Sequence, residues 1–184
     1  MKEKIAKWLQ DLSLLNGLPG QEQSVVRYLR DVFAPFADEV KVGVNGNIYA
    51  RKKGKKPGMT VAVAAHTDEI GCVVRDIDPS GMIRFDKLGW FSDSWLPGTR
   101  VQVGKIPGMV GIKSGHLMTE EEKRTVLPHR SLYIDVGAGS AKEVESLGIA
   151  IGDPVSFDVP FARWQNPDYC CGKALDNRAA CAVL

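Results

Sequence analysis

Apolar residues recur every three or four positions in the first part of the chain and predict two amphipathic helices. The first helix covers residues 3–15 and ends before the helix-breaking sequence Asn-Gly-Leu-Pro-Gly. The second begins near Gln21 and ends at Pro35, because proline lacks a backbone donor and clashes with the preceding turn. Each helix is therefore expected to pack one face against a core.

Two kinds of strand pattern follow these helices. Residues 40–44 and 47–52 flank Asn45 and Gly46, a dipeptide typical of two-residue hairpin turns, and predict an antiparallel hairpin. Residues 61–65 are all small and apolar, without the polar alternation of a half-exposed strand. This run predicts a strand buried on both faces of a parallel sheet.

The middle of the chain has a different pattern. Short strand-like runs alternate with glycine and proline, which is typical of a small β-barrel, and one helical stretch at 140–147 interrupts them. The chain thus changes from helix-and-strand to all-β and back. We predict an α/β domain, residues 1–69 and 163–184, interrupted by an inserted all-β barrel domain, residues 70–162.

Composition and charge indicate which binding partners and which cellular compartment to expect. The 184 residues carry 24 Lys and Arg against 22 Asp and Glu, a formal net charge of +2, which gives no reason to expect nucleic acid or an acidic membrane as partner. The N-terminal sequence mixes charges with apolar residues, unlike a signal peptide, and no apolar run approaches a membrane span. The 4 cysteines form no Cys-x-x-Cys pair, which favours a reducing compartment. We therefore expect a soluble, cytoplasmic protein.

His66 and Asp68 are the first candidates for chemistry, because they directly follow the predicted buried strand. Open α/β sheets bind ligands at the carboxyl ends of their strands, so an imidazole with a carboxylate two residues later is well placed for a metal. One side chain could coordinate the ion while the other orients it. A structural alternative stays open, in which Asp68 and Glu69 only cap a turn.

Asp176 is a further candidate, and the remaining histidines are weaker ones. Asp176 precedes a run of good helix formers and is expected at a loop-to-helix junction that faces the same sheet edge as His66. His116 and His129 have no cysteine or carboxylate at a standard ligand spacing, and we interpret both as solvated loop residues. The chain also lacks the Gly-x-Ser-x-Gly, Gly-x-Gly-x-x-Gly and Walker signatures.

Several segments taken together resemble one family, the cytoplasmic metalloaminopeptidases that form tetrahedral assemblies. This family includes glutamyl and deblocking aminopeptidases, and some of its members carry the name endoglucanase. The combination of His-Thr-Asp-Glu-Ile-Gly with Ala-Leu-Asp-Asn-Arg is specific for it. The matching segments follow the family's order over essentially the whole chain: GLPGQEQSVVRYL at 17–29, NGNIYARKKG at 45–54, AAHTDEIGCVV at 64–74, LYIDVGAGSAKEVESLGIAIGDPVSF at 132–157 and GKALDNRAACAVL at 172–184.

The resemblance implies a fold, a substrate and an assembly. The fold would be an incomplete zinc-peptidase α/β domain, interrupted by a PDZ-like β-barrel domain that helps to build a homo-oligomer, of the dodecamer type in the family. The substrate would be a peptide from which N-terminal amino acids are released by hydrolysis.

The resemblance also implies roles for individual residues. His66 resembles a ligand of one of two divalent metal ions, zinc or cobalt, and Asp176 resembles the carboxylate that bridges them. Asp68 resembles the catalytic-site residue that holds the imidazole of His66 in place. Asn177 stands where family members often have a second aspartate. The family takes its glutamate general base and its remaining ligands from sequence beyond the Ala-Leu-Asp-Asn-Arg motif.

Two hypotheses of different class follow for the 184 residues. In the first, they are the N-terminal half of a metalloaminopeptidase and are inactive alone. In the second, they are themselves the working species, a non-catalytic assembly or binding module built on the β-barrel. The final helical run reaches Leu184 without a cap, glycine or proline, which favours the first hypothesis. The helices would then lack part of their partner layer, and the chain is expected to self-associate.

Overall fold

The structure is a computed structural model and describes residues 1–184. Contacts within the chain divide it into two compact units. The first unit consists of Met1–Glu69 and Pro160–Leu184, and the second consists of Ile70–Val159. No helix combines the length and the apolar character that crossing a membrane requires.

Three helices form the core of the first unit. They are α1 (Lys2–Leu14), α2 (Gln23–Phe33) and, near the C-terminus, α4 (Leu175–Val183). The predicted helices at 3–15 and from Gln21 to Pro35 are therefore confirmed, with ends that differ by one or two residues. The buried side chains that join the three helices are Leu12, Val25, Leu29, Cys181 and Ala182.

The predicted hairpin is confirmed, but its turn is wider than the sequence indicated. Strand β1 (Glu39–Val42) pairs antiparallel with β2 (Ile48–Arg51). A two-residue type I′ turn needs a positive φ at both central residues, and here only Gly46 has one, at 82°. The backbone N–H of Gly46 donates to the carbonyl of Gly43 instead, so the strands end before the Asn-Gly pair.

The strand predicted at residues 61–65 is wrong. This segment pairs with no other strand, and Val61 and Val63 are 77% and 72% exposed. Only Ala65 packs partly against the helical core. A buried central strand needs a neighbouring strand on each edge. Neither sheet of this unit provides one, because each is a two-stranded hairpin: β1 with β2, and β9 (Ala162–Arg163) with β10 (Cys170–Cys171).

The second unit is a closed barrel of six antiparallel strands, which confirms the predicted small β-barrel. The order around the barrel is β3-β4-β7-β6-β5-β8, and a register shift between Val74 and Asp76 marks a bulge in β3. The strands are β3 (Gly71–Ile77), β4 (Ile83–Leu88), β5 (Arg100–Val103), β6 (Ile106–Gly111), β7 (Tyr133–Asp135) and β8 (Pro154–Phe157).

Inward-facing apolar side chains fill the barrel, because alternate residues of each strand point to its interior. Phe85, Val101 and Ile134 are among those buried almost completely. Helix α3 (Ala141–Ser146) contributes Val144 to the same core. Three short 3-10 helices connect the strands, at Asp93–Trp95, Gly115–Leu117 and His129–Ser131.

Candidate metal centre

Two separate segments of the first unit carry the candidate site. His66 and Asp68 lie on the extended segment that ends at Glu69. Asp176 lies near the start of α4, where its backbone is extended (φ −88°, ψ 104°) and the peptide bond that follows it is cis. Regular helical geometry begins after Asn177, so Asp176 occupies the loop-to-helix junction that the sequence predicted.

The imidazole of His66 lies between two carboxylates. Its Nδ1 is 3.0 Å from Oδ1 of Asp68, and its Nε2 is 3.0 Å from Oδ1 of Asp176. The side chain of Asp176 is 94% exposed, and His66 and Asp68 are about half exposed. The three predicted site residues are thus brought together, although 110 positions separate His66 from Asp176.

These neighbours change the acidity of His66. Partial burial by itself lowers the pKa of the imidazole, because it disfavours the charged form. The hydrogen bonds to Asp176 and then to Asp68 act in the opposite direction and outweigh burial, so the pKa of His66 is raised. The arrangement therefore favours an imidazolium that donates one N–H to each carboxylate.

A buried carboxylate directly follows Asp68 in the sequence. Glu69 has a side chain 3% exposed and accepts two hydrogen bonds from the ammonium of Lys173, at 2.7 and 2.8 Å. It also accepts one from the backbone N–H of Gly17 at 3.0 Å. These contacts join segments that are distant in sequence, so Glu69 does not merely cap a local turn.

Arg178 is the largest fully buried side chain in the structure. Its Nε donates to the carbonyl of Thr67 and its Nη1 to the carbonyl of Leu12, both at 2.7 Å. Burial lowers the pKa of this guanidinium, and Glu69 offsets part of that change. The sequence did not single out Arg178, although a lone charge at the start of an apolar helical run is a signal that could have.

The donor set fits part of a metal site. An imidazole nitrogen and a carboxylate oxygen 3.0 Å apart are close enough to bind one ion, and the carboxylate on Nδ1 is the usual means of orienting such a ligand. No group of three or more His, Cys, Asp or Glu side chains is arranged to hold a metal. On their own, His66 and Asp176 would therefore supply two of the three or four protein ligands that a closed site needs.

The other two histidines lie in the barrel unit. His116 is exposed, as predicted. The prediction for His129 is wrong, because its side chain is only 19% exposed and lies 3.3 Å from a carboxylate oxygen of Asp86 and 3.5 Å from one of Asp93. Its neighbours come from distant positions, which is why the local sequence gave no sign of them.

The sequence profile of the M42 glutamyl aminopeptidase family matches residues 46–184. The chain belongs to this family. Among relatives, FrvX of Escherichia coli (strain K12) is 39% identical over 182 residues, or 96% of this chain and 50% of FrvX. Lysyl aminopeptidase of Pyrococcus furiosus is 35% identical over 153 residues, or 80% of this chain and 44% of that enzyme.

Solved structures agree with this assignment to the M42 family. An aminopeptidase from the archaeon Desulfurococcus kamchatkensis superimposes with a TM-score of 0.89 at 28% identity, covering 99% of this chain and 50% of its own. The TET1 peptidase of Pyrococcus horikoshii gives a TM-score of 0.84 at 28% identity, with 97% and 53% covered. The chain therefore spans about half the length of the relatives and structures that it matches.

Proposed function

We propose that residues 1–184 provide the first half of a metal-dependent aminopeptidase that releases N-terminal amino acids from peptides. The observation that carries this proposal is the imidazole of His66 held between Asp68 and Asp176. Family membership supports it, because the relatives that carry an activity in their names are aminopeptidases.

Each of the three residues has a separate role in this proposal. His66 through Nε2 and Asp176 through a carboxylate oxygen would bind divalent metal, zinc or cobalt, with Asp176 as the residue shared between two ions. Asp68 accepts a hydrogen bond from Nδ1 of His66, so that Nε2, the nitrogen beside Asp176, would bind the ion once it has lost its proton. A divalent ion bound there would polarise the scissile carbonyl and lower the pKa of a bound water.

The same proposal gives each unit of the fold a part. The first unit would be the incomplete zinc-peptidase α/β domain, and the barrel would be a PDZ-like insert. The exposed valines at 61 and 63 support this, because they lie on a segment with the composition of a buried strand and without a strand on either edge. The remaining ligands, the general base and the missing strands would come from outside residues 1–184.

We also propose that the complete protein forms a homo-oligomer in the cytoplasm. The closed barrel supports an assembly role, since it is a self-contained unit that carries exposed apolar side chains, such as Trp90 and Ile151. The solved structure of PhTET1-12s is described as a dodecamer, and the TET1 peptidase of Pyrococcus horikoshii is described as assembling into a tetrahedron or a large octahedral shell. All 4 cysteines are free, which agrees with a reducing compartment.

A chimaeric enzyme tests the proposed function. The matched part of Pyrococcus furiosus lysyl aminopeptidase would be replaced by this chain, and hydrolysis of lysyl-, leucyl- and glutamyl-4-nitroanilide measured with zinc or cobalt. We expect chelator-sensitive hydrolysis that His66→Ala and Asp176→Asn abolish and the matched control His116→Ala does not affect. A folded chimaera with no hydrolysis, or hydrolysis that survives both substitutions, would contradict the proposal.

The chain alone provides the complementary experiment. Because it brings only two ligands together, we expect the 184-residue protein to hydrolyse none of these substrates. Stoichiometric metal with chelator-sensitive turnover would show instead that a second copy of the chain supplies the missing ligands, and the assembly itself would be the working enzyme.

A further inference from the structure

The two segments that carry the candidate site meet behind it in one buried cluster of charged side chains. Glu69 immediately follows Asp68, and Lys173 and Arg178 lie three residues before and two residues after Asp176. Their side chains are 3%, 8% and 0% exposed. We call Glu69, Lys173 and Arg178 the buried charge cluster.

The buried charge cluster ties both segments to the C-terminal end of α1. The ammonium of Lys173 donates to the carbonyl of Leu15 at 3.1 Å as well as to Glu69, and the carbonyl of Lys173 accepts from the hydroxyl of Ser13 at 2.7 Å. The loop that leads to Asp176 is thus fixed on α1 from both its main chain and its side chain.

Arg178 connects that loop to the histidine segment. Its Nε donates to the carbonyl of Thr67, which lies between His66 and Asp68, and its Nη1 donates to carbonyls at the end of α1. The thiol of Cys181, one helical turn later on α4, donates to the carbonyl of His66 at 3.3 Å. The carbonyls of His66 and of the residue that follows it are therefore both held by α4, the helix that also carries Asp176.

The charges of the cluster do not balance within it. Two cations share one carboxylate, and the distance from Nη2 of Arg178 to Oε1 of Glu69 is 4.0 Å, too long for a hydrogen bond. Main-chain carbonyls accept from Nζ of Lys173 and from Nε and Nη1 of Arg178, including carbonyls at the negative end of the α1 dipole, while Nη2 of Arg178 has no hydrogen-bond partner. Burying ions in this way contributes little net stability compared with apolar residues of similar size. The arrangement is better explained by the precision with which it fixes the surrounding main chain.

We infer that the buried charge cluster is a positioning device, which sets the imidazole of His66 against the carboxylate of Asp176 through the peptide group of Thr67. Only a planar guanidinium reaches Thr67 and α1 at once, so Arg178 is its central member. This inference rests on the proposed function, in which those two side chains bind one metal ion.

Gly17 offers a way to move Arg178 without changing any polar group. A Cβ on Gly17 would lie 2.9 Å from Nη2 of Arg178 and 2.8 Å from a methyl carbon of Val25. Gly17 has no positive φ, so the effect of Gly17→Ala would come from this clash alone. Gly58 is the matched control, because it also has no positive φ and a Cβ there would meet nothing within 4 Å.

A second matched pair changes the arginine itself. Arg178→Lys keeps the charge and loses the planar fork. Its control, Arg84→Lys in the barrel, removes an arginine that likewise combines carboxylate contacts, with Asp78, and a carbonyl contact, with Leu132. The pair separates loss of an arginine that contacts a main-chain carbonyl in general from loss of this one.

The experiment uses the 184-residue chain labelled at its 3 histidines. The ε1 proton resonance of His66 is recorded at one fixed pH without metal and then during titration with zinc, and thermal unfolding is followed in parallel. We expect Gly17→Ala and Arg178→Lys to move the metal-free resonance towards its position in urea and to weaken zinc binding about tenfold. Gly58→Ala and Arg84→Lys should leave both unchanged, even where Arg84→Lys lowers the unfolding temperature. Glu69→Gln replaces either test variant that does not fold.

The result that overturns the inference is a His66 resonance that stays at its wild-type position in the test variants while their unfolding temperature falls, since the cluster would then have only a structural role. Failure of the proposed function looks different. In that case zinc does not perturb His66 even in the wild-type chain, while Gly17→Ala and Arg178→Lys still move the metal-free resonance.

Discussion

At the scale of single residues, the candidate site consists of one imidazole whose pKa is lowered by burial and raised by two neighbouring carboxylates. Its three residues were predicted from the sequence: His66 and Asp68 because they follow an apolar run, and Asp176 because it precedes a helical run and matches the motif of the family that the chain resembles. The buried contacts that hold these residues in place were not predictable. The contacts of Glu69 and Arg178 join positions more than 50 residues apart, and no local pattern encodes them.

The first prediction at this scale concerns the titration of His66. Its pKa is raised, so the imidazolium stabilises the fold below the unfolded-state pKa, and this contribution is lost as the pH rises through the folded-state value. Asp176→Asn and Asp68→Asn should each lower the pKa of His66, as measured by NMR. A pKa of His66 that neither substitution changes would contradict the described geometry.

The second prediction concerns thiol reactivity. Burial raises the pKa of Cys72 to about 12, and the thiol of Cys181 is also buried with a raised pKa, whereas Cys171 is exposed. Maleimide at neutral pH should therefore modify Cys171 in the native chain and reach Cys72 and Cys181 only on unfolding. Peptide mapping by mass spectrometry reads the sites. Modification of native Cys72 as fast as Cys171 would show that the barrel opens.

At the scale of elements, periodicity and capping predicted most of what forms locally. The helical spacing of apolar residues gave α1 and α2, and the alternation of short strands with glycine and proline gave the barrel. The run at 61–65 failed as a strand because a strand depends on its neighbours, which the run itself does not specify. The prediction of a two-residue turn between β1 and β2 was wrong for a related reason, since Asn45 does not adopt the positive φ that such a turn requires.

The prediction at this scale tests the start of α3. The hydroxyl of Ser140 accepts a hydrogen bond from the backbone N–H of Glu143, as an N-cap does. Ser140→Ala should lower the free energy of unfolding by about 1 kcal/mol, measured by urea denaturation. Ser114 precedes a 3-10 helix without making such a bond, so Ser114→Ala is the control and should change the free energy by less than about 0.5 kcal/mol. Equal effects of the two substitutions would argue against the cap.

At the scale of the whole molecule, the two compact units differ in how completely they bury their apolar residues. The barrel closes on itself, whereas the first unit leaves the apolar segment around Val61 and Val63 in solvent. The sequence predicted this difference, because it separated an all-β block from an α/β part that resembles half of a larger fold.

The prediction at this scale is self-association through that segment. We expect the purified chain to sediment as a concentration-dependent mixture, and the double substitution Val61→Lys and Val63→Lys to shift it towards monomer. Leu14→Lys is the control, because Leu14 is an exposed apolar side chain on α1, 51% accessible, outside the segment. Sedimentation velocity at several concentrations gives the answer. Association unchanged by the double substitution would assign it to another surface, such as the barrel.

Calorimetric titration of the 184-residue chain with zinc decides whether His66 and Asp176 bind one divalent cation together. We expect weak binding that His66→Ala and Asp176→Ala each reduce at least about tenfold, that both together reduce no further, and that His116→Ala leaves unchanged. Binding that survives both substitutions, or no binding by the wild-type chain at any accessible concentration, would contradict the account.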